Sequence, residues 1–508
     1  MAVSLSLAGD NKRAGGPWAL ALAILGGVVW GLCFGREAVI VAPWMALVPL
    51  FLVLGAGGKQ AAWLAYTHGV AFWLTSMSWI APTMETYGQL PSWLAVVLCV
   101  LLALYLGTFS GVFGWLGASV WHRGGWLALA GLPALWVAVE WLRAHYLMNG
   151  FPWNLAAYAW VEMPGALPLA AWIGAYGVSF VLVFVNVGIA QSVVRRKWRT
   201  GVVSALACLL LLAAAGRFGT DAHEPQGPGL PVRLLQPNIT NLVAWDEQIV
   251  WQNYSKVLDW SKRACDLPGA LVVWPESAAW PFSYDRNAEL RADLEALVMA
   301  GCPILFNSTT EKEGFFYNSV LLLGPQGLAG RYHKRHLVPF GEYVPLGRWL
   351  PSLDKLARNA GNFRAGRELL LLPWREELLG AAVCFEVVFP FEVADAVQQG
   401  ATLLVTVTND AWYGDTAAPW QHYRAARFRA AESRRFLMRA AITGVSGLIA
   451  PDGSVVSQLG VGEEGVIRGE VVARHDLSPY TRAPWLIPLL CVLVAGFAIL
   501  RSRGEKRL

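Results

Sequence analysis

Eight apolar runs decide what this chain can be. They lie at residues 18–34, 39–56, 61–80, 91–118, 126–147, 166–192, 200–216 and 485–500, each near the ~20 residues a helix needs to cross a bilayer. Hydrocarbon admits only backbone that satisfies its own hydrogen bonds, so runs of this length predict a bundle of about eight transmembrane helices. The first run follows Lys12 and Arg13, as a signal peptide would. Its length and the runs behind it favour an uncleaved helix instead. Cys33 is preceded by Leu32 rather than a small residue, which argues against a lipoprotein cleavage site.

Charge gives the bundle a direction. Lys12, Arg13, Lys59, Arg123, the cluster Arg195, Arg196, Lys197 and Arg199, and the tail Arg501, Arg503, Lys506 and Arg507 all fall on one side of the alternation. The short loops opposite carry little beyond Arg36. The excess of Lys and Arg in cytoplasmic loops then predicts both termini inside and residues 217–483 outside. A hydrophobic fraction of 56%, a charged fraction of 15% and 26 Trp suit this picture, with Trp available for interfacial belts. The net charge of +5 sits in clusters between apolar runs. It marks topology and gives no reason to expect a nucleic-acid partner. The expected domains are 1–216 with seven spans, 217–483 as an outer domain, and 484–508 with the last span and a cytoplasmic tail.

The outer domain opens after the Pro/Gly-rich linker DAHEPQGPGLP (221–231). VRLLQPNI, ALVVWPES, PILFNSTT, YNSVLLLGP, LLGAAVCF, TLLVTVTND and SGLIAPDGSVV read as strands, with helical patterns at Asn287–Met299 and Tyr423–Arg439. Strands alternating with helices predict a layered α/β domain.

Three of its stretches carry chemistry. In LGAAVCFEVVFP (379–390) an apolar strand runs up to Cys384, with Glu386 two residues on; LVVWPES (271–277) is a second apolar strand, ending on Glu276. YHKRHLVPFGEYVP (332–345) places Lys334 before a Pro/Gly-rich turn that carries Glu342. A lone Cys at a strand end is commonly core filler, and a lone acid or Lys there is commonly a solvated charge. Together, a carboxylate, an amine and a thiol on separate strand ends are the base, charge stabiliser and nucleophile of a thiol acyl-transfer site.

WPES, HKRHLVPFGEYVP, CFEVVFP and TNDAWYGD (408–415) resemble the nitrilase superfamily, whose triad is Glu-Lys-Cys and whose fold is an αββα sandwich. The longer form FGEYVP and the membrane spans narrow the resemblance to the apolipoprotein N-acyltransferase family. EWLR (140–143) with GFPWN (150–154), and GAYGVSF (174–180), extend it into the membrane half. The resemblance implies Cys384 as nucleophile, Glu276 as general base, and Lys334 with the Phe385 backbone N–H as oxyanion stabilisers. Glu342 and Glu386 belong to the same motifs and support the site, one of them by holding Lys334; a plain surface charge is the alternative for either. Asn318 in YNS and Trp245 in LVAWDEQ match family positions with less weight. Trp349 and Phe363, in the mixed stretch Arg348–Arg367, are candidates for lipid contact on a lid, against the plainer reading of a surface loop.

The implied activity takes an acyl chain from a phospholipid, phosphatidylethanolamine in expectation, through a Cys384 thioester to the diacylglyceryl-cysteine of an apolipoprotein. No cofactor and no metal is expected. The implied location is a bacterial inner membrane with the catalytic domain in the periplasm. The rival readings are a membrane-tethered amidase, for which one helix would suffice, and an inactive lipid-binding or transport protein, which would not need the triad. Two departures from the family pattern stand out. Phe385 occupies a position that is often Tyr, and Ile442 and Thr443 lie where Asn is common.

Two further features stay open. Glu140 and Arg143 lie three apart on a predicted span, where ionisable groups are costly; a functional pair and a structural one fit equally. The seven Cys show no metal spacing, and nothing in the spacing of Cys265 and Cys302 asks for a disulfide or forbids one.

Overall fold

The computed structural model describes residues 16–146, 149–221, 227–240, 246–343 and 362–504. The chain divides into two compact units. One takes the described residues up to Ala81, then Ser92–Thr220 and those from Ala483 on; the other takes Pro82–Pro91 and Asp221–Arg482.

The first unit is helical. Its elements are α1 (Pro17–Leu32), α2 (Val48–Val53), α3 (Gly58–Ser76), the start of α4 (Ile80–Thr86), α5 (Ser92–Arg123), α6 (Gly125–His145), α7 (Ala166–Arg195), α8 (Trp198–Asp221) and a final helix over Leu486–Gly504. Five of these are long and apolar enough to cross a membrane: α5, α6, α7, α8 and the final one. The expected count of eight is therefore not reached among the described residues, and sequence explains why. The run at 39–56 contains Pro43 and Pro49, which lack a backbone donor and favour a helix's first turn over its interior. It folds as two short 3-10 turns around the six-residue α2, far short of a bilayer's thickness. Helix α1 has 16 residues. Helix α3 has 19 but includes Lys59, Gln60 and His68. Helix α7 is kinked where Gly174 adopts φ 67°.

Close helix packing here uses glycine. A Cβ at Gly27 of α1 would lie 2.2 Å from the His68 carbonyl oxygen, and one at Gly114 of α5 would lie 2.7 Å from that of Ala61. Small residues at such crossings let backbones approach. On α6 both Glu140 and Arg143 are buried. Glu140 accepts the N–H of Ala156 at 2.8 Å, and Arg143 donates to the carbonyls of Phe151 and Trp153 at 2.7 and 2.8 Å. These bonds tie the GFPWN loop to the helix, which favours the structural role.

The second unit contains two six-stranded sheets. The first runs β12 (Gly465–Val471), β1 (Leu230–Gln236), β2 (Leu271–Val273), β3 (Ile304–Lys312), β4 (Phe315–Gly324), β5 (Gly327–His333). The second runs β11 (Val455–Leu459), β10 (Ser446–Ile449), β9 (Leu437–Ala441), β8 (Leu403–Thr408), β7 (Glu377–Val383), β6 (Leu372–Trp374). The period of two along each strand sorts side chains by layer. Leu271, Val273, Val320 and Leu322 join Ala381, Val383, Val405 and Val407 in the core between the sheets. Val272, Leu321 and Leu323 face the other way, against α9 (Glu247–Ala264) and α10 (Ala288–Met299). Helices α11 (Pro390–Gln398) and α12 (Ala418–Ser433) pack on the outer face of the second sheet. The four layers, helix, sheet, sheet, helix, match the expected αββα sandwich.

Sequence misread some boundaries. SGLIAPDGSVV is a hairpin of β10 and β11, not one strand. The helix expected over Tyr423–Arg439 stops at Ser433, where Arg434 turns left-handed at φ 51°, and β9 follows. A disulfide joins Cys265 to Cys302, at the end of α9 and just before β3.

Candidate active site

The three residues singled out in sequence converge because their strands all end at one place. Glu276 follows β2, Lys334 follows β5, and Cys384 follows β7. All three are buried, Lys334 to 1% exposure. Lys334 Nζ lies 2.8 Å from Glu342 Oε2 and 3.9 Å from Glu276 Oε1. Glu276 and Lys334 both act electrostatically on the thiol of Cys384, one raising its pKa and the other lowering it.

Cys384 is the turning point of the chain here. It has φ 51°, a left-handed conformation that a non-glycine residue adopts at a cost. It opens a 3-10 turn, Cys384–Val388, that lifts the thiol off the end of the sheet. Glu386 closes that turn: one carboxylate oxygen accepts the Val383 N–H at 2.7 Å, and the other accepts the N–H groups of Arg335 and His336 and the Tyr332 hydroxyl. Glu386 thereby fastens the Cys384 turn to the backbone just after Lys334. The ammonium itself is held by Glu342, which resolves which of the two acids does so. Phe385 is buried, its ring edge-on to Phe389 at 5.1 Å.

Asn318 has a larger part than sequence gave it. Its amide nitrogen donates to Glu276 Oε1 and to Glu342 Oε1, both at 2.8 Å, so one side chain sets the spacing of two carboxylates. Asn307, which sequence reading missed, donates to the Asn318 oxygen at 2.6 Å and so fixes which end of the amide faces the acids. The second Glu276 oxygen accepts the N–H of Asn409 at 2.8 Å. Phe363 is half-buried; its backbone bridges to Phe316 and its N–H donates to the Glu342 carbonyl at 3.1 Å. Trp245 and Trp349, with most of the expected lid, lie outside the described residues.

Electrostatics sort these groups by task. Burial raises the Cys384 thiol well above its ordinary pKa, Glu276 adds to this, and Lys334 opposes it. Burial also raises Glu276, with Lys334 pulling it back. Burial opposes the charge on Lys334, but Glu342, Glu276 and Cys384 outweigh it and hold the ammonium protonated. A carboxylate raised in pKa is a better base for a thiol, and a fixed cation beside both favours the anions that proton transfer creates. Among the described residues no three His, Cys, Asp or Glu side chains converge as a metal site requires.

Comparison with known proteins finds matches to both halves of the chain. Residues 26–188 match the apolipoprotein N-acyltransferase N-terminal domain, and residues 232–476 match the carbon-nitrogen hydrolase domain. The apolipoprotein N-acyltransferase of Geobacter metallireducens is 34% identical over 96% of this chain and 95% of its own. Those of Methylococcus capsulatus and Vibrio cholerae are 33% and 31% identical, over 96% and 91% of this chain and 96% and 94% of theirs. This chain belongs to the apolipoprotein N-acyltransferase family. It is thus an acyltransferase of the nitrilase superfamily, and its chain carries both a helical N-terminal domain and a hydrolase-type sandwich.

Behind Cys384 of this acyltransferase lies a group that the sequence did not reveal. His422 Nε2 is 2.9 Å from the carbonyl oxygen of Cys384, and its Nδ1 is 3.0 Å from Asp410 Oδ1. Arg439 donates to Asp410 Oδ2 at 2.7 Å. Asp410 belongs to the quoted TNDAWYGD stretch, so its motif was visible although its role was not.

Proposed function

We propose that this acyltransferase moves a fatty-acyl chain from a phospholipid, phosphatidylethanolamine in our reading, to the α-amino group of a diacylglyceryl-cysteine at a lipoprotein N-terminus. The observation that carries the mechanism is the buried Glu276–Lys334–Cys384 cluster, with Lys334 clamped by Glu342 at 2.8 Å. Cys384 sulfur attacks the ester carbonyl while its proton passes to Glu276. The oxyanion forms beside Lys334 and the Phe385 N–H, then collapses; the lysophospholipid oxygen leaves with the proton from Glu276. The resulting thioester meets the amine of the acceptor. Glu276 takes a proton from the attacking nitrogen and returns it to the departing sulfur. Two lipids share one site in turn, so the kinetics are ping-pong.

The same reading places the chain in a bacterial inner membrane with its catalytic domain in the periplasm. One-sided Lys and Arg support this, as does the Cys265–Cys302 disulfide, a bond typical of oxidising compartments. Reporter fusions near Asp285 should signal from the periplasm; a cytoplasmic signal there would sink the topology. The deciding assay is purified protein with phosphatidylethanolamine and a diacylated lipopeptide, read by mass. A triacylated product is expected, and its absence, with hydrolysed lipid alone, would return the site to an amidase-like role.

A further inference from the structure

The carbonyl of Cys384 is held as deliberately as its thiol. A peptide unit is planar, and in its trans form the C=O and the next N–H point in opposite directions. Whatever fixes the Cys384 oxygen therefore aims the Phe385 N–H. That oxygen lies 2.9 Å from His422 Nε2. A carbonyl only accepts, so Nε2 carries the hydrogen.

The imidazole is itself fixed from the other side. Arg439 Nη2 lies 3.1 Å from Nδ1, and burial and Arg439 both lower the ring's pKa against the opposing pull of Asp410. Nδ1 also lies 3.0 Å from Asp410 Oδ1, so the ring is held between that carboxylate and the guanidinium. Asp410 then holds Arg439 in place at 2.7 Å and accepts the Thr408 hydroxyl at 2.8 Å. These contacts come from separate elements: His422 from α12, Arg439 from β9, and Thr408 and Asp410 from the end of β8. His422, Asp410, Arg439 and Thr408 are fully buried. The space is closed as well. A Cβ at Gly444 would lie 2.4 Å from Asp410 Oδ2, so a larger residue there would displace the carboxylate.

We propose that His422, set by Arg439 and Asp410, is a positioning residue that aims the Phe385 N–H at the forming oxyanion by gripping the far edge of the same peptide plane. This rests on the reading above that Cys384 forms a thioester through an oxyanion at that N–H.

The test separates oxyanion stabilisation from thiol reactivity. Alkylation of Cys384 by iodoacetamide passes through no tetrahedral oxyanion, whereas acylation by phosphatidylethanolamine does. In His422→Met, the single-turnover acylation rate should fall roughly 10²-fold, the scale of losing one oxyanion donor, while the alkylation rate stays within about threefold of the parent. His422→Gln keeps an N–H donor of similar reach and should recover at least about tenfold of the loss. Equal falls in acylation and alkylation would overturn the proposal, as would unchanged acylation in His422→Met or no recovery in His422→Gln. Should His422→Met not fold, Asp410→Asn decides the matter by the ratio of the two rates, because losing the Asp410 charge also eases ionisation of the thiol and acts on both alike: acylation slowed relative to alkylation by about tenfold or more supports the proposal, and an unchanged ratio overturns it. Failure of the parent chain to form an acyl-enzyme would instead refute the thioester reading itself.

Discussion

Two buried polar networks meet at Cys384, and they follow opposite electrical plans. On the thiol side stand two carboxylates, one ammonium and the thiol, with the carboxyl of Glu276 and the thiol both raised by burial. On the carbonyl side stand one carboxylate, one guanidinium and an imidazole. There burial would raise Asp410, but Arg439 and His422 overcome it and hold the pKa at about 2. The first network is poised to exchange a proton, and the second is matched so that none moves. A site needs both: groups whose ionisation burial makes costly for chemistry, and groups held firmly ionised for geometry.

The largest effect should come from the atom the two networks share. Incubation with phosphatidylethanolamine alone should add one acyl mass to the peptide containing Cys384, and Cys384→Ser should abolish it. Serine's hydroxyl ionises far less readily than a thiol, and this site already opposes negative charge. A full acyl signal in the Ser variant would dissolve the distinction between the two networks, because the thiol would then be dispensable.

Next comes stability. Arg439→Met leaves Asp410 buried without its ion partner, which should cost about 3–5 kcal/mol of unfolding free energy. Lys334→Met should cost less in a denaturant titration, although Lys334 is equally buried. Its neighbour Glu276 already has a raised pKa and can take up a proton to relieve the lost charge. Equal destabilisation by both would show that the thiol-side network is as rigidly charged as the carbonyl-side one.

How much of this was legible in the sequence follows from the same contrast. Glu276 and Cys384 were visible because each ends an apolar strand, and α10 because Asn287 caps it, accepting the Leu290 N–H at 2.6 Å. Strand β9 was not visible. Its approach, ESRRFLMRAA, reads as a charged helix, yet Arg435 and Arg439 are fully buried. Their partners, the Ala401 carbonyl and Asp410, lie about 30 residues upstream and come together only through sheet order β9-β8. The disulfide was hidden for the same reason, its halves being 37 residues apart. The run at 39–56 read as one continuous span because hydropathy alone does not register Pro43 and Pro49 as breaks.

On rate, Glu276→Gln and Lys334→Met should each slow acylation by ~10²-fold or more. Gln cannot accept the thiol proton. Met leaves the thiolate and oxyanion without their cation. Single-turnover acylation measured by mass checks both, and a loss below about fivefold in either would move the chemistry away from this cluster.

The smallest effect expected is a shift in pH dependence at Asn318. Its amide donates to Glu276 at 2.8 Å and favours the charged carboxylate, opposing the larger effect of burial. A base must be unprotonated to act, so acylation falls as pH drops through the Glu276 pKa. That pKa already lies above the ordinary carboxylate value of about 4.3, so the acid limb should lie above it too. Asn318→Ala removes a bond to the charged form, so the limb should move further upward, by up to about one pH unit for a bond worth roughly 1.5 kcal/mol. Water entering the space left by the amide would make the shift smaller. The same substitution on the carbonyl side has no counterpart, since Asp410 stays ionised across the working range. A downward shift in Asn318→Ala would mean that Asn318 favours the protonated acid, and the base would have to be sought elsewhere.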